Sequence, residues 1–319
     1  MQEEIPMSSS DIILKGIPKS EHIAKWRRLF PPEMLNPPEI DVSSRKRKWL
    51  DLPYTTNPQG PKLDIYLPES TEGPYPVIVY IHGGGWFLGH KRVAYMEPLF
   101  YMLEHGYALV SIDYTLSDQA EFPTQIYEIK TAIRFLRQHA EIYNLQAHRI
   151  AVLGDSAGGH LAALAGTSGA TGALEDLSLG WPQQSSKVQA VVDWFGPTNL
   201  AAMQQQLQDL NLPSWDSMAC TMEDLFIGAD LSQEPEKAKP ADPATYLTPE
   251  APPFMIQHGD KDTVVPCQQS ISFAQKLEEA IGKDKVIFEI LPGAVHEDPR
   301  FYAQENLDKV IKFLDQYLK

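Results

Sequence analysis

The sequence predicts an α/β protein with a mostly parallel, eight-stranded sheet flanked by helices, and three observations carry that expectation. From about residue 62 onward, short β-branched and apolar runs alternate with amphipathic stretches, the rhythm of strands joined by crossover helices. The amphipathic stretches put apolar residues at helical spacing, as in Ile126, Ile129, Ile133 and Leu136, and again in Leu307, Val310, Ile311 and Leu314. The residues suited to chemistry fall in loops that follow the strand runs.

In chain order, residues 1–50 read as a loose arm, because Pro31-Pro32 and Pro37-Pro38 break any continuous helix; one short helix is expected near 22–29. The basic run Arg45-Lys46-Arg47-Lys48 is an anion patch or, ahead of Trp49-Leu50, the solvated start of an edge strand, and the edge strand is the expectation. Residues 51–319 form the second unit, with strands at 63–67, 77–81, 108–112, 150–153, 188–194, 254–256 and 286–290. Residues 199–250 are too long for a plain connection and rich in Gln, Leu, Met and Pro. With the arm they are expected to form a small cap on one edge of the sheet. No internal repeat is visible.

Composition removes several classes. The 27 Lys and Arg against 42 Asp and Glu give a net charge of −15, which argues against a nucleic-acid partner. Cys220 and Cys267 lie in no CxxC or Cys/His cluster, so a reduced pair is expected, with neither a disulfide framework nor a metal site. The first residues carry Glu3, Glu4 and Asp11 and lack the basic and apolar parts of a leader. No apolar run approaches the roughly 20 residues of a membrane span. A cytoplasmic protein is the expectation, although a chain trimmed of its leader would read the same.

Gly154-Asp155-Ser156-Ala157-Gly158 stands between a strand run and a small-residue helix. In that context the serine occupies a strained turn with its hydroxyl exposed above the sheet, and the glycines admit close neighbouring backbone. The helix start favours any anion forming there. His82-Gly83-Gly84-Gly85-Trp86 follows the run 77–81, so the N–H groups of Gly83 and Gly84, with that of Ala157, are candidates to hold an oxyanion. No Gly-Lys-Ser/Thr follows, which weakens a phosphate-loop reading. A nucleophilic serine needs a base and the base an orienting carboxylate. The loop His258-Gly259-Asp260-Lys261-Asp262 offers two aspartates that spacing does not separate, and Pro292-Gly293-Ala294-Val295-His296 offers the base. Asp298, before Pro299, reads as the N-cap of the last helix.

These motifs resemble the α/β-hydrolases of the HGGG-type esterase/lipase group, and within it carboxylesterases related to feruloyl and acetyl-xylan esterases. The likeness runs from about residue 62 to the end and rests on HGGGW at 82–86, Ser111-Ile112-Asp113-Tyr114, GDSAGGHLA at 154–162, the segment 193–198, HGDKDTVVP at 258–266 and PGAVH at 292–296. The resemblance implies an α/β-hydrolase fold and a serine carboxylesterase working through an acyl-enzyme on short-chain or hydroxycinnamoyl esters, with no cofactor or metal. It selects Asp262 over Asp260, pairs it with His296 and Ser156, and assigns the oxyanion hole to Gly83, Gly84 and Ala157. One departure stands out: relatives continue with His-Gly, whereas Glu297 and Asp298 follow His296 here, and two carboxylates beside the base are expected to raise its pKa.

Trp86, Asp155, Trp194 and Trp215 are the substrate-binding candidates, joined by Phe195, Met218, Met222 and Phe226 as lining for a neutral, partly aromatic ester; any of them could instead fill the cap's own core. The partner is a small-molecule ester. The arm either covers the site or exchanges between the subunits of a homodimer. The rival functions are an arylformamidase-like amidase with the same triad, an aminopeptidase-type hydrolase, for which the cap is too small, and a ligand receptor on a retired hydrolase scaffold.

Overall fold

In the computed structural model, which describes residues 12–69, 72–212 and 220–319, the described part of the arm, from residue 12, is docked. Ile13–Leu14 (β1) and Ile17–Pro18 (β2) pair across a turn in which Lys15 and Gly16 both have positive φ. Helix α1, Lys19–Leu29, buries Lys19, His22 and Trp26 along one face. The Trp26 indole N–H donates to the Cys220 carbonyl at 3.0 Å, and the His22 ring bonds the Leu14 carbonyl at 2.9 Å. The expectation of a loose arm is therefore corrected: a buried tryptophan fixes it. Pro31-Pro32 does not end the order either, because Pro32 opens the short helix α2, Pro32–Leu35, at a position where a missing N–H costs nothing.

The main sheet has eight strands: Lys48–Pro53 (β3), Lys62–Tyr66 (β4), Tyr75–Ile81 (β5), Ala108–Ile112 (β6), Leu145–Asp155 (β7), Ala190–Trp194 (β8), Phe254–Gly259 (β9) and Val286–Leu291 (β10). Their order is β10-β9-β8-β7-β5-β6-β4-β3. Pairings from β10 to β6 are parallel, while β4 runs antiparallel to both its neighbours. Strand β3 is an edge, as the basic run suggested. Its Lys48 ammonium is tied to the carbonyls of Val42, Ser43 and Arg45 rather than left in solvent.

Every residue of β5 is buried, as a continuous apolar run covered on both faces requires. Val77, Val79 and Ile81 face a core with α4 (Thr124–Gln138), α5 (Ala157–Thr171) and α8 (Gln268–Ile281). Ile78 and Tyr80 face the core of α3 (Tyr101–Glu104) and α9 (Gln304–Leu318). The helical stripes read at 126–136 and 307–314 are buried in these two cores. Parallel strands end on one side of the sheet, so the loops after β5, β7, β9 and β10 open together there.

Residues 199–250 carry α6 (Met203–Asp209), α7 (Met222–Ile227) and several 3₁₀ turns. Helix α7 starts at a capping box in which Thr221 and Asp224 satisfy each other's backbone N–H. No helix among the described residues is long and apolar enough to cross a membrane.

Candidate active site

Strand β7 delivers Ser156 to the N-terminus of α5 with φ 53° and ψ −122°, a conformation that L residues rarely adopt. Two glycines make the turn feasible. A Cβ on Gly154 would lie 2.1 Å from the Gly158 carbonyl oxygen, and one on Gly158 would lie 2.0 Å from that of Ile81. The Ser156 N–H donates to the Trp194 carbonyl at 2.9 Å, tying the turn to the next strand.

The loops after β9 and β10 meet at this serine. His296 Nε2 lies 3.0 Å from Ser156 Oγ, and His296 Nδ1 lies 2.7 Å from Asp262 Oδ2. Asp262 Oδ1 accepts from the backbone N–H groups of Val264 and Val265 at 2.8 and 2.9 Å, which aims the other oxygen at the imidazole. Asp260, two residues away, instead accepts from the Gly293 N–H at 2.5 Å and faces solvent.

Burial opposes the Asp262 charge, but hydrogen bonds and charges from His258 and His296 outweigh it and hold the carboxyl well below the usual carboxylate range. Burial likewise opposes the His296 cation, yet the bond and charge of Asp262, with Glu297 and Asp155 farther out, raise its pKa above the ordinary 6.5. Of the two carboxylates after His296, Glu297 is the one whose charge raises the imidazole's pKa. Asp298 is instead engaged by Arg300, which holds it well below the usual range. Asp298 also caps the 3₁₀ turn Pro299–Phe301 rather than the last helix, whose N-cap is Ala303; the expected cap is thus corrected by one short turn.

The glycine loop after β5 is braced from behind. The His82 ring bonds the Gly83 carbonyl at 2.8 Å and stacks on Tyr114 with centroids 4.4 Å apart. Burial pushes His82 down to about 4, so the ring stays neutral. Gly84 has φ +101°, and a Cβ there would meet the Leu88 carbonyl oxygen at 2.3 Å. Gly84 and Ala157 line the cavity beside Ser156; a Cβ on Gly83 would lie 3.0 Å from the Asp155 carbonyl oxygen and 3.3 Å from the Ser156 Cβ.

That cavity measures about 290 Å³, and its walls are largely apolar. Trp86 lines it, stacked on Phe226 and donating its indole N–H to His160 Nδ1 at 3.2 Å. Met222 also lines it, whereas Phe226 is fully buried behind Trp86. Trp194 is corrected: it is a core residue on β8, fully buried, bonded to Gln257 Oε1 at 2.8 Å and packed edge-on against Tyr302. Phe195 is also fully buried, with its ring edge against His296 at 4.9 Å. Asp155 is displaced from the serine's cavity. It accepts from the Tyr302 hydroxyl at 3.0 Å and lines an adjoining cavity of about 350 Å³ with Tyr95 and Glu297. Burial, then the Glu297 charge, pushes it up to about 7. Trp215 and Met218 lie outside the described residues.

Sequence reasoning missed Phe30 and Met34, through which the arm forms one wall of the cavity, and Met203, Glu223, Val264 and Val265. The two valines were readable in the HGDKDTVVP segment. The arm residues carried no signal short of the docking of Trp26.

Residues 63–277 match the family model described as BD-FAE. The chain belongs to this family. It is 32% identical to the esterase LipQ of Mycobacterium tuberculosis over 82% of its own length, and spans 61% of LipQ. Among solved structures, a truncated carbohydrate esterase from gut microbiota superimposes with TM-score 0.75 at 30% identity, over 88% of this chain and 99% of that one. A bifunctional GH43-CE protein of Bacteroides eggerthii does so with TM-score 0.74 at 34% identity, over 85% of this chain and 38% of that one. The BD-FAE chain accordingly has the α/β-hydrolase fold that its motifs implied.

Proposed function

We propose that the protein is a serine carboxylesterase in which Ser156, His296 and Asp262 act as nucleophile, base and orienting acid. The observation that carries this reading is the continuous hydrogen-bonded path from Ser156 Oγ through both nitrogens of His296 to Asp262, mounted on a strained turn. His296 takes the serine proton as Oγ attacks the ester carbonyl, and Asp262 stabilises the imidazolium. The negative charge on the carbonyl oxygen is met by backbone N–H groups of Gly83, Gly84 and Ala157, each contributing about 2.7 to 4 kcal/mol. His296 then protonates the departing alcohol, and water reverses the sequence to release the acid from Ser156.

The named esterases among the relatives support this chemistry. The cavity, at the small end of the roughly 300 to 1,000 Å³ typical of ligand pockets, suits short-chain or single-ring acyl groups. The adjoining cavity beside Tyr95 gives the other half of the ester a place to lie. The alcohol portion is assigned to a carbohydrate on the strength of the carbohydrate esterase among the structural neighbours. Hydrolysis of p-nitrophenyl acetate, methyl ferulate and acetylated xylan by the parent protein, with near-complete loss in Ser156→Ala at unchanged folding, is the expected result. An active Ser156→Ala would overturn the assignment, and a matched N-formyl anilide cleaved faster than every ester would favour the amidase.

A further inference from the structure

Asp262 is contacted by a second imidazole that the proposed cycle does not use. His258, at the end of β9, is fully buried, and its Nε2 lies 3.3 Å from Asp262 Oδ2, the same oxygen that meets His296 Nδ1. The same Nε2 lies 2.9 Å from the Val265 carbonyl oxygen. Both neighbours are acceptors, so Nε2 must carry a hydrogen, shared between them. On the other side of the ring, Nδ1 lies 2.7 Å from the hydroxyl of Ser270, which is also fully buried, in the first turn of α8. One imidazole thus joins the end of β9, the loop carrying Asp262 and the start of α8.

We propose that His258 is a positioning residue which, backed by Ser270, fixes the Asp262 carboxylate for its bond to His296. This rests on the function proposed above. The carboxylate then has four donors: two backbone N–H groups on Oδ1, and the imidazoles of His258 and His296 on Oδ2. A carboxylate held only by backbone on one oxygen could pivot about those bonds. The His258 contact stops the pivot and withdraws electron density from the oxygen facing the base. Losing it leaves Oδ2 a stronger acceptor for His296, so the base becomes harder to deprotonate, and leaves the acid less well placed.

Among the neighbouring titratable groups, Cys267 at the start of α8 feels the charges of Asp262 and Asp260, and His296 feels those of Asp262, of Glu297 from the last loop and of Asp155 at the end of β7. Among the described residues, the His258 ring has hydrogen-bond or ion-pair distances to Asp262, Val265 and Ser270.

The test compares the full-length parent with His258→Leu, His258→Gln and Ser270→Ala on p-nitrophenyl acetate across pH, with rates normalised to sites titrated by a serine-directed phosphonate. His258→Leu should lose about 10- to 100-fold in kcat, keep KM within about twofold, and shift the acid limb of kcat/KM to higher pH. His258→Gln restores an N–H near the Nε2 position and should recover most of kcat and return the limb toward the parent's. Ser270→Ala should lose less than His258→Leu and shift the limb in the same direction. A folded His258→Leu whose per-site kcat and limb match the parent's would overturn the proposal. So would a Gln variant no better than Leu. If His258→Leu does not fold, Ser270→Ala decides, and an unchanged kcat and limb there count against the proposal. An active, phosphonate-labelled parent with indifferent variants refutes this inference alone, whereas a parent that neither turns over ester nor takes label at Ser156 refutes the function as well.

Discussion

Replacing Asp262 by Asn separates the two aspartates of the β9 loop more sharply than any other change. The carboxylate serves Val264 and Val265 N–H with Oδ1, and His296 and His258 with Oδ2. An amide has one acceptor oxygen, so either flip confronts two of these donors with an NH2 group. Keeping the backbone bonds points the NH2 at His296 Nδ1, which must then turn its lone pair toward it. The ring hydrogen moves to Nε2, and Nε2 can no longer accept the Ser156 proton 3.0 Å away. A base locked in the wrong tautomer costs about 10⁴-fold in kcat, or roughly 5 kcal/mol. Asp260→Asn keeps an oxygen for the bond from the Gly293 N–H, at an exposed site, and should stay within about threefold of the parent. Steady-state kinetics on p-nitrophenyl acetate, with circular dichroism to confirm folding, measures both. Similar losses at the two positions, or an Asp262→Asn variant within tenfold of the parent, would refute the assignment of the acid.

Because the His296 pKa is raised and only the neutral ring can accept the serine proton, kcat/KM should fall on the acid side with a limb above 6.5. Glu297→Gln removes one of the charges favouring the cation and should move that limb to lower pH in a pH-rate profile. Gly158→Ala would put a Cβ 2.0 Å from the Ile81 carbonyl oxygen. Overpacking of about 1 to 3 kcal/mol and roughly 10²-fold slower turnover from a displaced nucleophile should appear in denaturant titration and kinetics. Trp26→Ala should release the arm and, through Phe30 and Met34, raise KM severalfold for longer acyl esters while leaving kcat on acetate within about threefold; a p-nitrophenyl chain-length series reads this.

Where sequence and structure agree, local chemistry decides the outcome. The strained serine turn is legible because only glycine at 154 and 158 admits the neighbouring carbonyls, and the parallel sheet because buried β-branched runs leave few alternatives. The choice between Asp260 and Asp262 was not legible from spacing, since it depends on which carboxylate the Val264 and Val265 N–H groups capture. The arm failed differently. Its buried face is Lys19, His22 and Trp26, not an apolar stripe, and its anchor is a carbonyl 194 residues away. Trp194 could have been assigned to the core from its place on an interior strand. Its size made it attractive as pocket lining, but its side chain points into the core behind the sheet.

The central claim is that Ser156 becomes covalently acylated, with His296 as its base. Mass spectrometry of the protein quenched during p-nitrophenyl ester turnover, or after phosphonate treatment, tests it most directly. A single adduct on the peptide containing Ser156, absent in Ser156→Ala and formed far more slowly in His296→Ala, is the predicted result. Turnover with the adduct on another residue, or with Ser156 unmodified under both treatments, would contradict it.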